Sequence, residues 1–453
     1  MAKSTTKDMT EGSPSRLMLG FFFPMLFGML FQQFYNMMDT IIVGKYLGVQ
    51  ALAAVGSTGS INFMIIGFCM GVCNGFAIPV AQKFGEKNFP MLRRFVANGA
   101  WLSLGFAAVM TVAVCVLCRP ILQWMNTPED IIDGAYRYIF VIFLGIPATY
   151  LYNMVSGIIR SLGDSRTPLI FLILSSILNI LLDLFMILVL HMGEEGAAIA
   201  TVIAQAVSGV CCLIFMIKRF ELLRMTKEEA KPDRDILLAL CNMGVPMGLQ
   251  YSITAIGSVV LQTAVNGLGS MAVAAVTAGT KISMFFCCPF DALGSTMATY
   301  GGQNIGARKL DRISRGLKAA SVMGCVYAVF ALGVLSVFGR HISLLFLDRG
   351  QTEILGQVQM FLIGNSLFYI PLAFVNIVRF LIQGMGYSKL AVLAGVCEMA
   401  ARAFVGFCLV PVLGYAAVCF ASPAAWIAAD AFLIPSYIRI MKKLKAMPGY
   451  QCG

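Results

Sequence analysis

The sequence predicts an all-α membrane protein, with twelve transmembrane helices in two pseudo-symmetric six-helix lobes around a central cleft. Three observations predict it. The 453 residues are 59% hydrophobic and only 12% charged, far from the averages of soluble domains. Apolar stretches of about 20 residues, each able to cross a ~30 Å hydrocarbon core as a helix, recur along the whole chain. Residue patterns from the first half return in order in the second.

Taken in order, the apolar stretches fall near 17–43, 54–80, 95–117, 131–157, 168–190 and 196–217, then near 236–265, 272–300, 316–338, 353–382, 390–411 and 415–438. Too little chain remains between them for a soluble domain. Met1–Arg16 is polar and carries no small-residue cleavage pattern, so the first span is expected to act as an uncleaved insertion signal. Fourteen cysteines lie mostly inside apolar stretches, among them Cys69, Cys73, Cys211 and Cys287. They have no metal-type spacing with His and read as small packing residues.

The formal net charge of +11 is distributed by side. With both termini cytoplasmic, 25 of the 33 Lys and Arg fall in the tails and loops of that side. Only Lys45, Arg119, Arg340 and Arg349 fall in the opposite loops. This positive-inside split requires an even number of spans. The basicity therefore encodes orientation against anionic lipid headgroups and argues against a nucleic-acid partner.

The halves repeat at an offset near 221. Leu47-Gly48 with Ala51–Val55 matches Leu268-Gly269 with Ala272–Val276. Gln82-x-x-Gly85 matches Gln303-x-x-Gly306, and Ile146-Pro147 matches Ile370-Pro371. Gly163 pairs with Gly386, and Gly193 with Gly414. Six spans per copy give both copies the same orientation, and parallel repeats of this kind hold substrate between the halves. The expected division is residues 1–217, a charged cytoplasmic linker at 218–235, and 236–453.

Polar residues inside the spans are the candidate functional groups. Gln32, Asn36 and Asp39 fall at i, i+4 and i+7 on one face of the first span. An acid at mid-membrane costs about 2.5–3.5 kcal/mol on insertion scales and marks an ion or substrate path. In the fifth span Asn179 and Asp183 share a face, with Ser176 a turn earlier; Thr201 opens the sixth span, with Gln205 a turn on. If spans one, five and six adjoin, Asp39, Asn179, Asp183 and Thr201 supply two carboxylates, an amide oxygen and a hydroxyl. Such hard oxygen donors suit a small hard cation. Two carboxylates in a low dielectric do not both stay charged cheaply, so the same pocket can take sodium or a proton. Ser176 and Gln205 read as helix–helix packing groups.

In the second half the counterparts of Asn179 and Asp183 are Glu398 and Arg402, of opposite sign and one turn apart. With Lys281, Asp291 and Asp430 they read first as a balanced network shaping the cleft wall and second as substrate or proton contacts. The candidate cleft residues are therefore Gln32, Asn36, Lys281, Asp291, Glu398 and Arg402. His191 and His341, at span ends, are the only histidines, which leaves a metalloprotease site unsupported. No phosphate-cradling glycine loop with its Lys is present, so no ATP site and no organic cofactor are expected.

Pro24–Gly44, Gln82-x-x-Gly85, Arg160–Pro168 and the six-plus-six repeat together resemble the MATE (multidrug and toxic compound extrusion) transporters across nearly the full length. The resemblance implies no enzyme activity. It implies instead a monomeric antiporter of a bacterial inner membrane that expels cationic, amphipathic drugs by alternating access, using an inward sodium or proton gradient. Within the family the DinF-like branch places its cation site on an Asp of the first helix, an Asn and Asp of the fifth and a Thr of the sixth. Asp39, Asn179, Asp183 and Thr201 match these. The NorM-like branch uses acids of the seventh and tenth helices. Here the seventh span has none in its apolar part and the tenth none after Glu353. The alternative reading is a flippase for lipid-linked saccharide of the same superfamily. Twelve spans and acids in the first lobe, rather than more spans and a cationic cavity, argue against it.

Overall fold

The computed structural model describes residues 6–125, 127–345, 352–447 and 450; Lys3 and Arg349, counted above, lie outside them. Every regular element among these residues is helical. The helices are α1 (Pro14–Tyr46), α2 (Val49–Ser57), α3 (Gly59–Gly85), α4 (Phe89–Trp124), α5 (Ile132–Leu144), α6 (Ile146–Ser161), α7 (Arg166–Leu184) and α8 (Glu194–Arg219). They continue as α9 (Arg234–Asn266), α10 (Ser270–Gly306), α11 (Leu310–Ser343), α12 (Thr352–Ser366), α13 (Tyr369–Gly384), α14 (Ser388–Phe404), α15 (Val410–Leu413) and α16 (Tyr415–Lys445).

Ten helices among the described residues are long and apolar enough to cross a membrane, and two bent pairs complete twelve. The bends lie where the sequence reads as continuous spans, at 131–157 and 353–382. There α5 and α6 meet at 45°, and α12 and α13 at 50°. Each break precedes an Ile-Pro pair, Ile146-Pro147 and Ile370-Pro371, that falls in the first turn of the next helix, where proline is tolerated because an N–H there has no partner within the helix. The stretch expected at 54–80 likewise divides at Thr58, with α2 before it and α3 after.

The chain forms two compact units, one of Phe27–Gly248 with the segment ending at Asp8, the other of Met9–Leu26 with the chain from Leu249 on. Both α1 and α9 therefore contribute to both units. The repeat is visible in the backbone of each. Left-handed residues recur in register at Gly48 and Gly269, at Lys87 and Arg308, and at Gly163 and Gly386. Short π-helical turns follow α7 at Phe185–Val189 and α14 at Val405–Leu409. They come just after Asp183 and Arg402, and π turns gather at functional positions.

Within the first unit α3 carries Gly71 and Gly75, and α9 carries Gly244 and Gly248, each pair one turn apart. A Cβ built on Gly71 falls 2.6 Å from the Met247 carbonyl oxygen, and one on Gly75 meets the Gly244 backbone. Small residues one turn apart on both helices let two backbones touch without a side chain between them. This is why α9 belongs to the first unit up to Gly248. Gly75→Leu is expected to lower the thermal stability of the detergent-purified protein by at least about 1–3 kcal/mol, as overpacking does. Gly105→Leu, whose Cβ meets nothing within 4 Å, is expected to leave it unchanged.

Near the chain start, residues 9–12 are clasped by the second unit. The Met9 amide donates to Gln303 Oε1 at 2.8 Å, and Asn304 Nδ2 and Arg312 Nη2 donate to the Met9 carbonyl at 3.2 and 3.0 Å. Lys309 Nζ donates to the Thr10 carbonyl at 2.9 Å. The repeated Gln-x-x-Gly of the second half thus supplies a backbone clasp. The 218–235 segment is docked in the first unit. Arg93 forks onto Glu229 at 2.8 and 2.7 Å, Arg94 reaches Asp233 at 2.6 Å, and Asn98 Oδ1 accepts from the Asp233 amide at 2.8 Å. The Arg93 hydrogen bonds hold the Glu229 carboxyl down to about 2, so this clamp is fully charged at neutral pH.

Candidate functional site

Asn179 and Asp183 lie one turn apart on α7 and are 2% and 0% exposed. Helix α7 packs along α8. There Asn179 Nδ2 donates to Thr201 Oγ1 at 3.2 Å, and Thr201 Oγ1 donates to the Ala197 carbonyl at 3.1 Å. The amide is thereby oriented with its oxygen left over. Asn179 Oδ1, both oxygens of Asp183 and Oδ1 of Asp39 are buried without a hydrogen-bond partner. The Asp39 carboxyl on α1 neighbours that of Asp183. Two acids therefore face each other in the first unit beside an oriented amide oxygen and a hydroxyl.

Buried polar atoms are normally paired, and an unpaired one calls for an explanation. Four unpartnered oxygens from α1 and α7 have the chemistry to take a bare cation or a proton. Among the described residues no group of three or more His, Cys, Asp or Glu could hold a metal ion. With only two carboxylates, the oxygen set has the low charge that suits a monovalent ion and not a tightly held multivalent one.

Of the other α1 candidates, Gln32 is half-buried like Asp39, and Asn36 is exposed. Ser176 turns its hydroxyl to the Leu172 carbonyl at 2.8 Å, and Gln205 accepts from Thr149 Oγ1 at 2.9 Å. Two tyrosines that the sequence reading passed over stand beside the acids. Tyr35 neighbours Asp39 and Gln205, and Tyr138 neighbours Asp39, Tyr35 and Asp183. Tyr35 was legible, since it precedes Asp39 by one helical turn. Tyr138 comes from α5 and only folding brings it near.

In the second unit Glu398 of α14 is 3% exposed and pairs with two guanidinium groups. Arg402 lies 3.6 Å away, and Arg379 of α13 contacts its other oxygen. Asp291 of α10 and Asp430 of α16 are further charges in the field of Arg379. The sequence reading expected Glu398 and Arg402 to neutralise each other; the pair is in fact a triad. Arg379 carries a sequence signal of its own, a cation eight residues past Pro371 in a mostly apolar stretch. Lys281 and Asp291 are exposed and are not packed into the triad.

The MatE family model matches residues 24–185 and 246–408, one block in each half. The chain belongs to the MATE family. It is 28% identical over 354 residues to the probable multidrug resistance protein YoeA of Bacillus subtilis strain 168, covering 77% of this chain and 76% of that protein. It is 25% identical over 430 residues to the DNA damage-inducible protein F of Escherichia coli K12, covering 90% and 87%. A multidrug resistance MATE transporter in an outward-facing conformation has the same fold, with a TM-score of 0.92 at 21% identity over 99% of this chain and all of that one. As a MATE protein this is a multi-pass membrane transporter, and both matched blocks include one of the two charged clusters.

Proposed function

We propose that this MATE transporter is a cation-coupled multidrug efflux antiporter whose coupling ion, sodium or a proton, binds at Asp39, Asn179, Asp183 and Thr201. One observation carries the reading. In the first unit Asp183 is fully buried, and both its oxygens and Oδ1 of the neighbouring Asp39 have no hydrogen-bond partner, while Glu398 of the second unit is ion-paired with Arg379 and Arg402. A site left bare at this energetic cost makes sense where an occupant comes and goes. Relatives named for multidrug resistance support small-molecule drugs as cargo. Cationic, amphipathic compounds fit an exchange in which cation entry displaces cationic drug. The coupling step acts through alternating access of the two lobes in a bacterial inner membrane. Both termini are cytoplasmic by the positive-inside distribution, and a single chain is the working unit.

Reconstitution into proteoliposomes, with sodium and pH gradients imposed separately, tests this. One gradient is expected to drive uphill movement of a cationic dye and the other to have little effect. Dye movement indifferent to both would reject the coupling.

A further inference from the structure

Outside the coupling site, the first unit holds an apolar cavity of about 620 Å³, of the size that takes a small-molecule ligand. It lies between α4, α6 and α8, walled by Ala97, Ala107, Leu151, Met154 and Met216. The linker residues Arg224, Met225 and Ala230 also line it, closing one end like a strap. The strap is fixed by the Arg93–Glu229 and Arg94–Asp233 pairs and by Trp101, whose indole Nε1 donates to the Ala230 carbonyl at 3.0 Å. Trp101 itself is 52% exposed. Ser103 in the cavity wall has a buried hydroxyl with no partner.

The charge around the strapped end is unbalanced. Each acid from Glu221 to Asp233 already has a cation: Glu221 pairs with Arg224, Glu228 with Lys231, Glu229 with Arg93 and Asp233 with Arg94. Lys218, Arg219 and Lys227 are left over, all exposed. An apolar slot under a cationic strap, with a tryptophan at its mouth, has the chemistry of one molecule with an acyl tail and an anionic head. Tryptophan favours the headgroup level of a bilayer, and basic clusters beside spans collect anionic lipid.

We propose that this cavity is a binding site for an anionic phospholipid of the leaflet the linker faces. Its acyl chain lies among Ala97, Ala107, Leu151 and Met154, and its headgroup meets Arg224, whose pair with Glu221 is long and exposed, beside the unpaired Lys227 and Lys218. Occupancy ties the linker to α4, α6 and α8, so anionic lipid stabilises the strap. The site shares no residue with the coupling acids, and the inference stands apart from the ion-coupling reading.

The chain has three tryptophans, so Trp124→Phe with Trp426→Phe leaves Trp101 as the reporter. The protein is reconstituted in phosphatidylcholine vesicles containing a fixed fraction of brominated phosphatidylglycerol, and in phosphatidylglycerol vesicles containing the same fraction of brominated phosphatidylcholine. Trp101 quenching by the anionic lipid is expected to exceed that by the neutral lipid. Arg224→Glu with Lys227→Glu is expected to weaken the anionic preference by about five-fold or more, from the typical contribution of one cation at a membrane surface. Ala100→Phe fills the mouth from an exposed wall position and is expected to lower quenching by the anionic lipid at unchanged thermal stability. Equal quenching by both lipids, or a preference that survives charge reversal or filling, overturns the proposal. Relief of quenching by tetraphenylphosphonium, a hydrophobic cation, would assign the cavity to transported cargo and overturn it as well.

Discussion

Asp39→Asn and Asp183→Asn are each expected to abolish gradient-driven antiport in proteoliposomes while leaving the protein as stable as the parent, or more so. Losing an ionised ligand removes about 1.5–3 kcal/mol of interaction, which is about ten- to a hundred-fold in cation affinity. The stability expectation has the opposite sign because of the geometry. The two carboxyls face each other with Oδ1 of Asp39 and both oxygens of Asp183 unmatched, so each Asn relieves a like-charge contact and adds donors. The double variant is expected to behave like either single one, since the acids act as one site and contacting residues are non-additive. Antiport that persists at parental rate in both single variants would overturn the coupling assignment. Loss of transport together with loss of the folded state would show that the acids are structural.

Glu398→Gln is expected to do the reverse and act first on stability. Glu398 is the one carboxylate between Arg379 and Arg402, and all three are buried. Removing its charge leaves two guanidinium groups facing each other, with only the fields of Asp291 and Asp430 to offset them. Breaking a buried ion pair by deleting one partner costs about 3–5 kcal/mol. That is a large part of the 5–15 kcal/mol that stabilises a typical domain, so a marked fall in melting temperature in detergent is expected. Glu398→Leu combined with Arg379→Met and Arg402→Met is expected to recover much of the loss, because an apolar set of similar volume avoids desolvating three charges. If the single variant melted with the parent, the triad would not be the structural tie inferred here.

These opposite expectations follow from a difference between the repeats that is partly written in the sequence. Asn179 and Asp183 occupy the positions of Glu398 and Arg402, so the first copy carries an acid and an amide where the second carries an ion pair. One copy can balance itself along its own helix and the other cannot. The depth of the contrast was not legible there. Arg379 comes from a different helix, α13, and joins Glu398 only through tertiary packing. Tyr138 reaches the acid pair from α5 in the same way.

The sequence by itself determined the helical class, the approximate positions of the spans, the doubling of the chain and the acids worth attention. Those features rest on local chemistry: apolar length, one-turn spacing and the cost of a charge in hydrocarbon. Only the tertiary structure decided which side chains meet. It breaks two spans at Ile-Pro pairs, crosses α3 over α9 on glycines, straps the linker onto α4 and sets Asp39 against Asp183. The physical reason is that bilayer insertion selects each span by its own composition. Pairing among spans depends instead on close packing and on matching a few buried polar atoms, and no single span contains that information.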